Sequence, residues 1–99
     1  LLKSNVTAVF AVSDFYAVEF MKFLQGKNIR IPEDIQIIGF DDNMASRESN
    51  PSLTTIHQEA NLRAKAAIEC LEAMRDGAEY KTEIVLPVDL VKRESTRKL

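Results

Sequence analysis

A single cysteine, Cys70, and a single histidine, His57, stand in the 99 residues, and each scarcity removes a class of chemistry. One thiol permits no internal disulfide, and no histidine or second thiol lies near it at a metal-ligand spacing. Cys70 is therefore expected as a small buried side chain on a helix. His57 has no nucleophile or acid at matched spacing, so it reads as a hydrogen-bonding structural residue rather than a catalyst. The three glycines, Gly26, Gly39 and Gly77, are isolated and cannot build the G-x-G-x-x-G phosphate cradle of a dinucleotide enzyme. No enzyme activity, metal or cofactor is expected. The net charge of −2 comes from interspersed acids and bases, which leaves no lysine and arginine footprint for phosphates, so this segment is not expected to grip nucleic acid. No apolar run is long enough to span a bilayer, and no leader-like start is present. A cytoplasmic location without membrane contact is the expectation. The chain opens Leu1-Leu2-Lys3 and soon enters a strand-like run, as a piece of a longer protein would.

What is present is 45% apolar and 28% charged, ordinary for one globular unit with a modest core. At this size an extra apolar face needs a partner. Val6 to Val12 is a continuous apolar, β-branched run that predicts a strand buried on both faces. Asp14 follows where a helix N-cap belongs. Ala17, Phe20, Met21 and Leu24 then share one face of a helix that stops at Gly26. After a turn at Pro32-Glu33-Asp34, Ile35 to Phe40 predicts a second buried strand ending in Asp41-Asp42-Asn43. A strand, crossover helix and strand make a right-handed parallel unit. The C-terminal ends Ser13-Asp14 and Asp41-Asp42 thus reach the same sheet edge, where open α/β sheets bind ligands. Further on, one or two helical turns are expected over Met44 to Ser49 and a strand over Leu53 to Gln58. A helix from Glu59 to Arg75 carries an apolar stripe of Ala60, Ala64, Ala67, Ile68, Leu71 and Met74, and stops at Asp76-Gly77. Glu83 to Val91 is extended but interrupted by Pro87, which predicts a sheet edge or a change of sheet. Glu94 to Leu99 reads as a polar tail.

Four segments in this order, A-V-S-D-F-Y-A (11–17), I-P-E-D-I-Q-I-I-G-F-D-D (31–42), P-S-L-T-T-I-H-Q (51–58) and L-P-V-D-L-V-K-R-E-S-T (86–96), resemble the lactose-repressor/galactose-repressor family of bacterial transcription regulators. The resemblance spans nearly the whole chain. It implies an α/β fold of the periplasmic-binding-protein-like type I kind, two Rossmann-like lobes with a small-molecule effector in the cleft between them. In that arrangement residues 1–55 and 89–96 belong to the C-terminal lobe, and residues 56–88 cross to the N-terminal lobe and return. The helix-turn-helix that meets operator DNA would lie outside this chain. The implied function is a ligand-responsive repressor whose effector is a sugar or sugar phosphate. The alternative is a periplasmic sugar-binding protein of a transporter, which shares the fold.

The expected ligand contacts are Asp41, Ser13, Gln58, Asp14 and Phe15. Asp41 leads, because a carboxylate at a strand's C-terminal end accepts two hydrogen bonds from vicinal hydroxyls or from an N–H pair on a base. In the family the first acid after G-F is the recurrent contact. Asp42 fits better as a cap on the next turn. Ser13 stands where relatives have a sugar-touching asparagine, Gln58 lies at the crossover, and Phe15 is placed to stack on a sugar face or to pack. Asp14 reads more as a cap than a contact. The helix after the first strand is apolar over more than one sheet needs, with Tyr16 and Phe23 widening the stripe. The family's homodimer interface maps to Val18, Lys22, Ala45 and Glu48, with a Lys22–Glu48 pair expected across the two-fold. Ser49 stands where an interface aromatic is usual, Ala64 where glycine is common, and Phe23 where a smaller residue is usual.

Overall fold

The structure, a computed structural model, describes residues 5–98. The elements run β1 (Ala8–Phe10), α1 (Asp14–Gly26), β2 (Gln36–Asp41), α2 (Met44–Glu48), β3 (Thr54–Gln58), α3 (Ala60–Arg75) and β4 (Val88–Val91). The strands form one sheet in the order β1-β2-β3-β4. β1 pairs parallel with β2, Phe10 opposite Ile38, and β2 pairs parallel with β3, Asp41 opposite His57. The chain divides into two compact units: one runs to His57 and resumes at Asp89, the other is Gln58–Val88.

In the first unit, Ala17, Met21 and Leu24 of α1 are buried against Ile31, Ile35, Ile37 and Leu53, with Phe20 packed at the margin. Burying a side chain such as Met21 or Leu24 contributes about 1.5–3 kcal/mol, enough to make this seam the unit's core. Gly39 lies in it, and a Cβ there would run into the Asp14 carboxylate and the Leu53 side chain.

Several expectations are corrected. The first strand is three residues long, and Phe10 and Val12 are exposed, because β1 is an edge strand covered on one face only. In β2 burial alternates, Ile37 and Gly39 buried, Ile38 and Phe40 half-buried, because successive side chains of a strand point to opposite faces. The first helix continues through Gly26, and the left-handed turn after it is made by Asn28 at φ 62°. Strand structure in the 83–91 stretch begins only after Pro87, whose missing N–H suits the edge position of β4. The supposed polar tail is built into the core: Ser95 is fully buried, its Oγ donates to the Ile37 carbonyl at 2.6 Å, and the Thr54 N–H donates to it at 2.8 Å.

In the second unit α3 has no buried residue. Its half-buried side is Ala66, Cys70 and Ala73, a face rotated away from the predicted stripe. Ile68, Leu71 and Met74 of that stripe are exposed. Cys70 is half-buried, not buried, and its thiol lies 3.9 Å from the Lys81 carbonyl.

Candidate functional site

The parallel register decides which residues share an edge. Ala8 is level with Gln36 and Phe10 with Ile38. Asp41, the last residue of β2, is opposite His57. Parallel pairing brings the C-terminal ends of β1 and β2, which precede Ser13 and include Asp41, to the same edge of the sheet.

Local chemistry fixes the role of each group there. Ser13, not Asp14, is the N-cap of α1: its backbone is extended, and its Oγ accepts from the N–H groups of Phe15 at 3.2 Å and Tyr16 at 3.5 Å. Asp14, the first helical residue, points inward and is fully buried. Its Oδ1 accepts from the Thr55 hydroxyl at 2.6 Å and its Oδ2 from the Asn43 N–H at 2.8 Å. Both expectations for Asp14, cap and ligand contact, are therefore corrected. The carboxylate ties α1 to β3 and to the start of α2, and a wholly enclosed group does not reach a ligand.

At the end of β2 the backbone turns through two left-handed residues, Asp41 at φ 127° and Asp42 at φ 61°. Non-glycine residues seldom adopt such angles, and they persist where the surroundings over-determine them. Asp41 is exposed. The Asp42 side chain is only 11% exposed and faces three polar groups. Arg93 Nη2 donates to its Oδ1 at 2.7 Å, His57 Nδ1 lies 2.9 Å from Oδ2, and Ser46 Oγ lies 3.3 Å from Oδ1, its one hydrogen shared with the Asn43 carbonyl at 2.7 Å. An ionised carboxylate only accepts, so Nδ1 carries the hydrogen. Burial pushes the Asp42 carboxyl up, but the hydrogen bond and charge of Arg93, with the hydrogen bonds from His57 and Ser46, hold it below the usual carboxylate range. Arg93 also donates through Nη1 to Ser46 Oγ at 3.1 Å and to the Leu53 carbonyl at 3.0 Å.

Asp42 is consequently not the cap of α2. Asn43 holds that position, without a side-chain capping bond, and its Oδ1 is buried with no hydrogen-bond partner. His57 takes the structural hydrogen-bonding part expected of it. Phe15 is exposed, Gln58 is half-buried at the end of β3, Val18 and Ala45 are half-buried, and Glu48 is exposed. Lys22 meets Glu19 of its own helix at 3.5 Å. Sequence reasoning passed over Arg93 and Thr55. Their partners lie about forty residues away along the chain, beyond the reach of local pattern, although the charged R-E-S run at 93–95 was itself visible.

Within the second unit a groove of about 440 Å³ is lined by Leu62, Ala66, Cys70, Ala73, Tyr80 and Ile84, among others. Lys65, Glu69, Glu79 and Lys81 also line it. No helix among the described residues is long and apolar enough to cross a membrane.

An open parallel sheet with polar side chains at the carboxyl ends of its strands is an α/β domain of the kind that takes ligands at that edge. The periplasmic binding protein-like domain family matches residues 2–96. The chain belongs to this family. It is 40% identical over 96 residues to the ribose operon repressor of Lactococcus lactis subsp. lactis (strain IL1403), covering 96% of this chain and 29% of that protein. Among solved structures it resembles the lac repressor dimer bound to operator and the anti-inducer ONPF, with a TM-score of 0.82 and 33% identity over 91% of this chain and 32% of that one. It also resembles a periplasmic binding protein/LacI transcriptional regulator from Alkaliphilus metalliredigens QYMF complexed with D-xylulofuranose, with a TM-score of 0.81 and 33% identity over 93% of this chain and 35% of that one. The chain spans under a third of the length of the curated relative it matches.

Proposed function

We propose that this chain is the C-terminal portion of the effector-binding and dimerisation domain of a transcriptional repressor that senses a small molecule, a sugar or sugar phosphate. Residues 1–55 and 89–96 act as part of one lobe, and 56–88 as the crossover and a piece of the other. Asp41 receives the effector's hydroxyl pair, with Ser13, Phe15 and Gln58 as further contacts. Operator DNA is met by a domain outside this chain, and the protein works in the cytoplasm as a homodimer. The observation that supports this reading is the parallel pairing of β1 with β2, which brings the C-terminal ends of both strands to one edge of the sheet.

The mechanism follows from linkage. An effector shifts the equilibrium between two lobe arrangements only by its difference in affinity for them. A carboxylate fixed at a strand end supplies such a difference when the ligand's hydroxyls reach it in one arrangement and not in the other.

Calorimetric titration of the full-length protein with D-ribose, D-ribose 5-phosphate, D-xylulose, cellobiose and adenine tests the reading. At least one probe should bind, and D41N should weaken it at least tenfold, since a hydrogen bond to a charged group is worth about 1.5–3 kcal/mol. No binding by any probe sinks the sugar reading; preferential binding of adenine redirects it to purines. Unchanged affinity in D41N removes Asp41 from the site.

A further inference from the structure

The corner at Asp41–Asp42 is the most strained described segment of the sheet edge. Two consecutive non-glycine residues adopt φ 127° and 61°, angles that glycine accepts without a steric cost and other residues do not. Something must hold them. Asp14 pins the corner from below through the Asn43 N–H at 2.8 Å. Asp42 holds it from the side, joined to α2 through Ser46, to β3 through His57, and to the segment after β4 through Arg93. Arg93 is in turn fastened to β3, donating from its guanidinium to the Leu53 carbonyl and from its backbone N–H to Thr54 Oγ1 at 2.9 Å. The Asp42 carboxylate is thus the point where three separate elements are drawn onto one corner.

We propose that Asp42 is a positioning residue: clamped by Arg93, His57 and Ser46, it holds the left-handed corner and so sets where the Asp41 carboxylate meets a ligand, a role that rests on Asp41 facing the effector. The adjacent acids divide the work. Asp42 turns inward and spends its oxygens on the protein, and the backbone it fixes carries Asp41 outward. Arg93 is the main support, because its planar fork reaches Asp42, Ser46 and the Leu53 carbonyl together, which a lysine cannot do.

Full-length wild type, D42N, D42G and R93M, with D41N as reference, test the clamp through two readouts. The first, hydrogen exchange at the Asn43 amide, needs no ligand. Exchange should quicken about tenfold in D42N and R93M, the scale of one charge-assisted hydrogen bond lost. The second is affinity for whichever of D-ribose, D-ribose 5-phosphate, D-xylulose, cellobiose or adenine binds wild type best, set beside the urea midpoint. D42N should lose about tenfold in affinity. D42G relieves the backbone strain and should unfold at a higher urea concentration than D42N, yet lose as much affinity. If D42G instead recovers midpoint and affinity together, Asp42 is merely structural and the proposal falls. Wild-type affinity in D42N, with binding lost in D41N, also overturns the clamp while leaving the ligand site standing. If no probe binds wild type, the ligand reading and the positioning role built on it fail together, and Asn43 exchange then reports only whether the corner is held.

Discussion

Among single residues, Asp42 sets the acid response of the sheet edge. Burial raises its carboxyl and the groups facing it, Arg93 after β4, His57 on β3 and Ser46 on α2, outweigh that and lower it. A carboxyl whose folded pKa lies below the unfolded value of about 3.9 stabilises the fold above that value and loses the contribution as pH falls through the folded one. The stability gap between wild type and D42N should therefore be steady near neutrality and close as the pH drops below about 4. Urea midpoints of the two full-length proteins from pH 7 to pH 2.5 measure it, and a gap that stays undiminished at the lowest pH contradicts the assignment. The identity of the two acids was only partly legible in the sequence. G-F-D-D placed both at a strand end, but the division of labour depends on positive φ at both positions and on Arg93, and no hydrophobic period encodes either.

The first βαβ unit was the most readable element, for a physical reason: β-branched runs with a capping residue between strand and helix leave few alternatives. The cap itself was misassigned by one residue. Ser13 and Asp14 both suit the position, and the choice was made by Gly39, Thr55 and the Asn43 amide, which create a buried polar niche for Asp14. S13A should cost the full-length protein about 1 kcal/mol, and S13D should recover most of it, since aspartate caps as well as serine. Chemical denaturation checks both, and an unaltered midpoint in S13A would deny Ser13 the capping role. The face of α3 was misread because an all-round mixture of alanines and larger apolar residues leaves the buried side to be chosen by whatever covers it. Here the half-buried side, Ala66, Cys70 and Ala73, includes the thiol that reaches the Lys81 carbonyl. The 94–98 stretch was misread because its polar side chains are satisfied by partners such as Ser52 and Thr54, some forty residues back.

For the whole molecule, the apolar side chains left outside the described core bear on assembly. Tyr16 is 70% and Met44 66% exposed, and the flanking surface of α1 and α2 carries Val18, Lys22, Ala45 and Glu48. Lys22 and Glu19 are both largely exposed where they meet, so that contact is weak, and in the proposed dimer Lys22 would exchange it for Glu48 of a second copy. Such a rim pair contributes about 0–1 kcal/mol; apolar burial must supply the rest. We expect the full-length protein to sediment as a dimer at tens of micromolar. A45R is the sharper probe, because Val18 packs partly on the unit's own core and its replacement would mix folding with assembly. A45R should shift the protein to monomer with its helical circular dichroism retained, whereas K22E or E48K alone, which breaks the pair twice in a two-fold dimer, should raise the dimer dissociation constant by at most about thirtyfold and the double swap should restore it. A wild-type monomer at that concentration, or a dimer indifferent to A45R, would place the association surface elsewhere on the molecule.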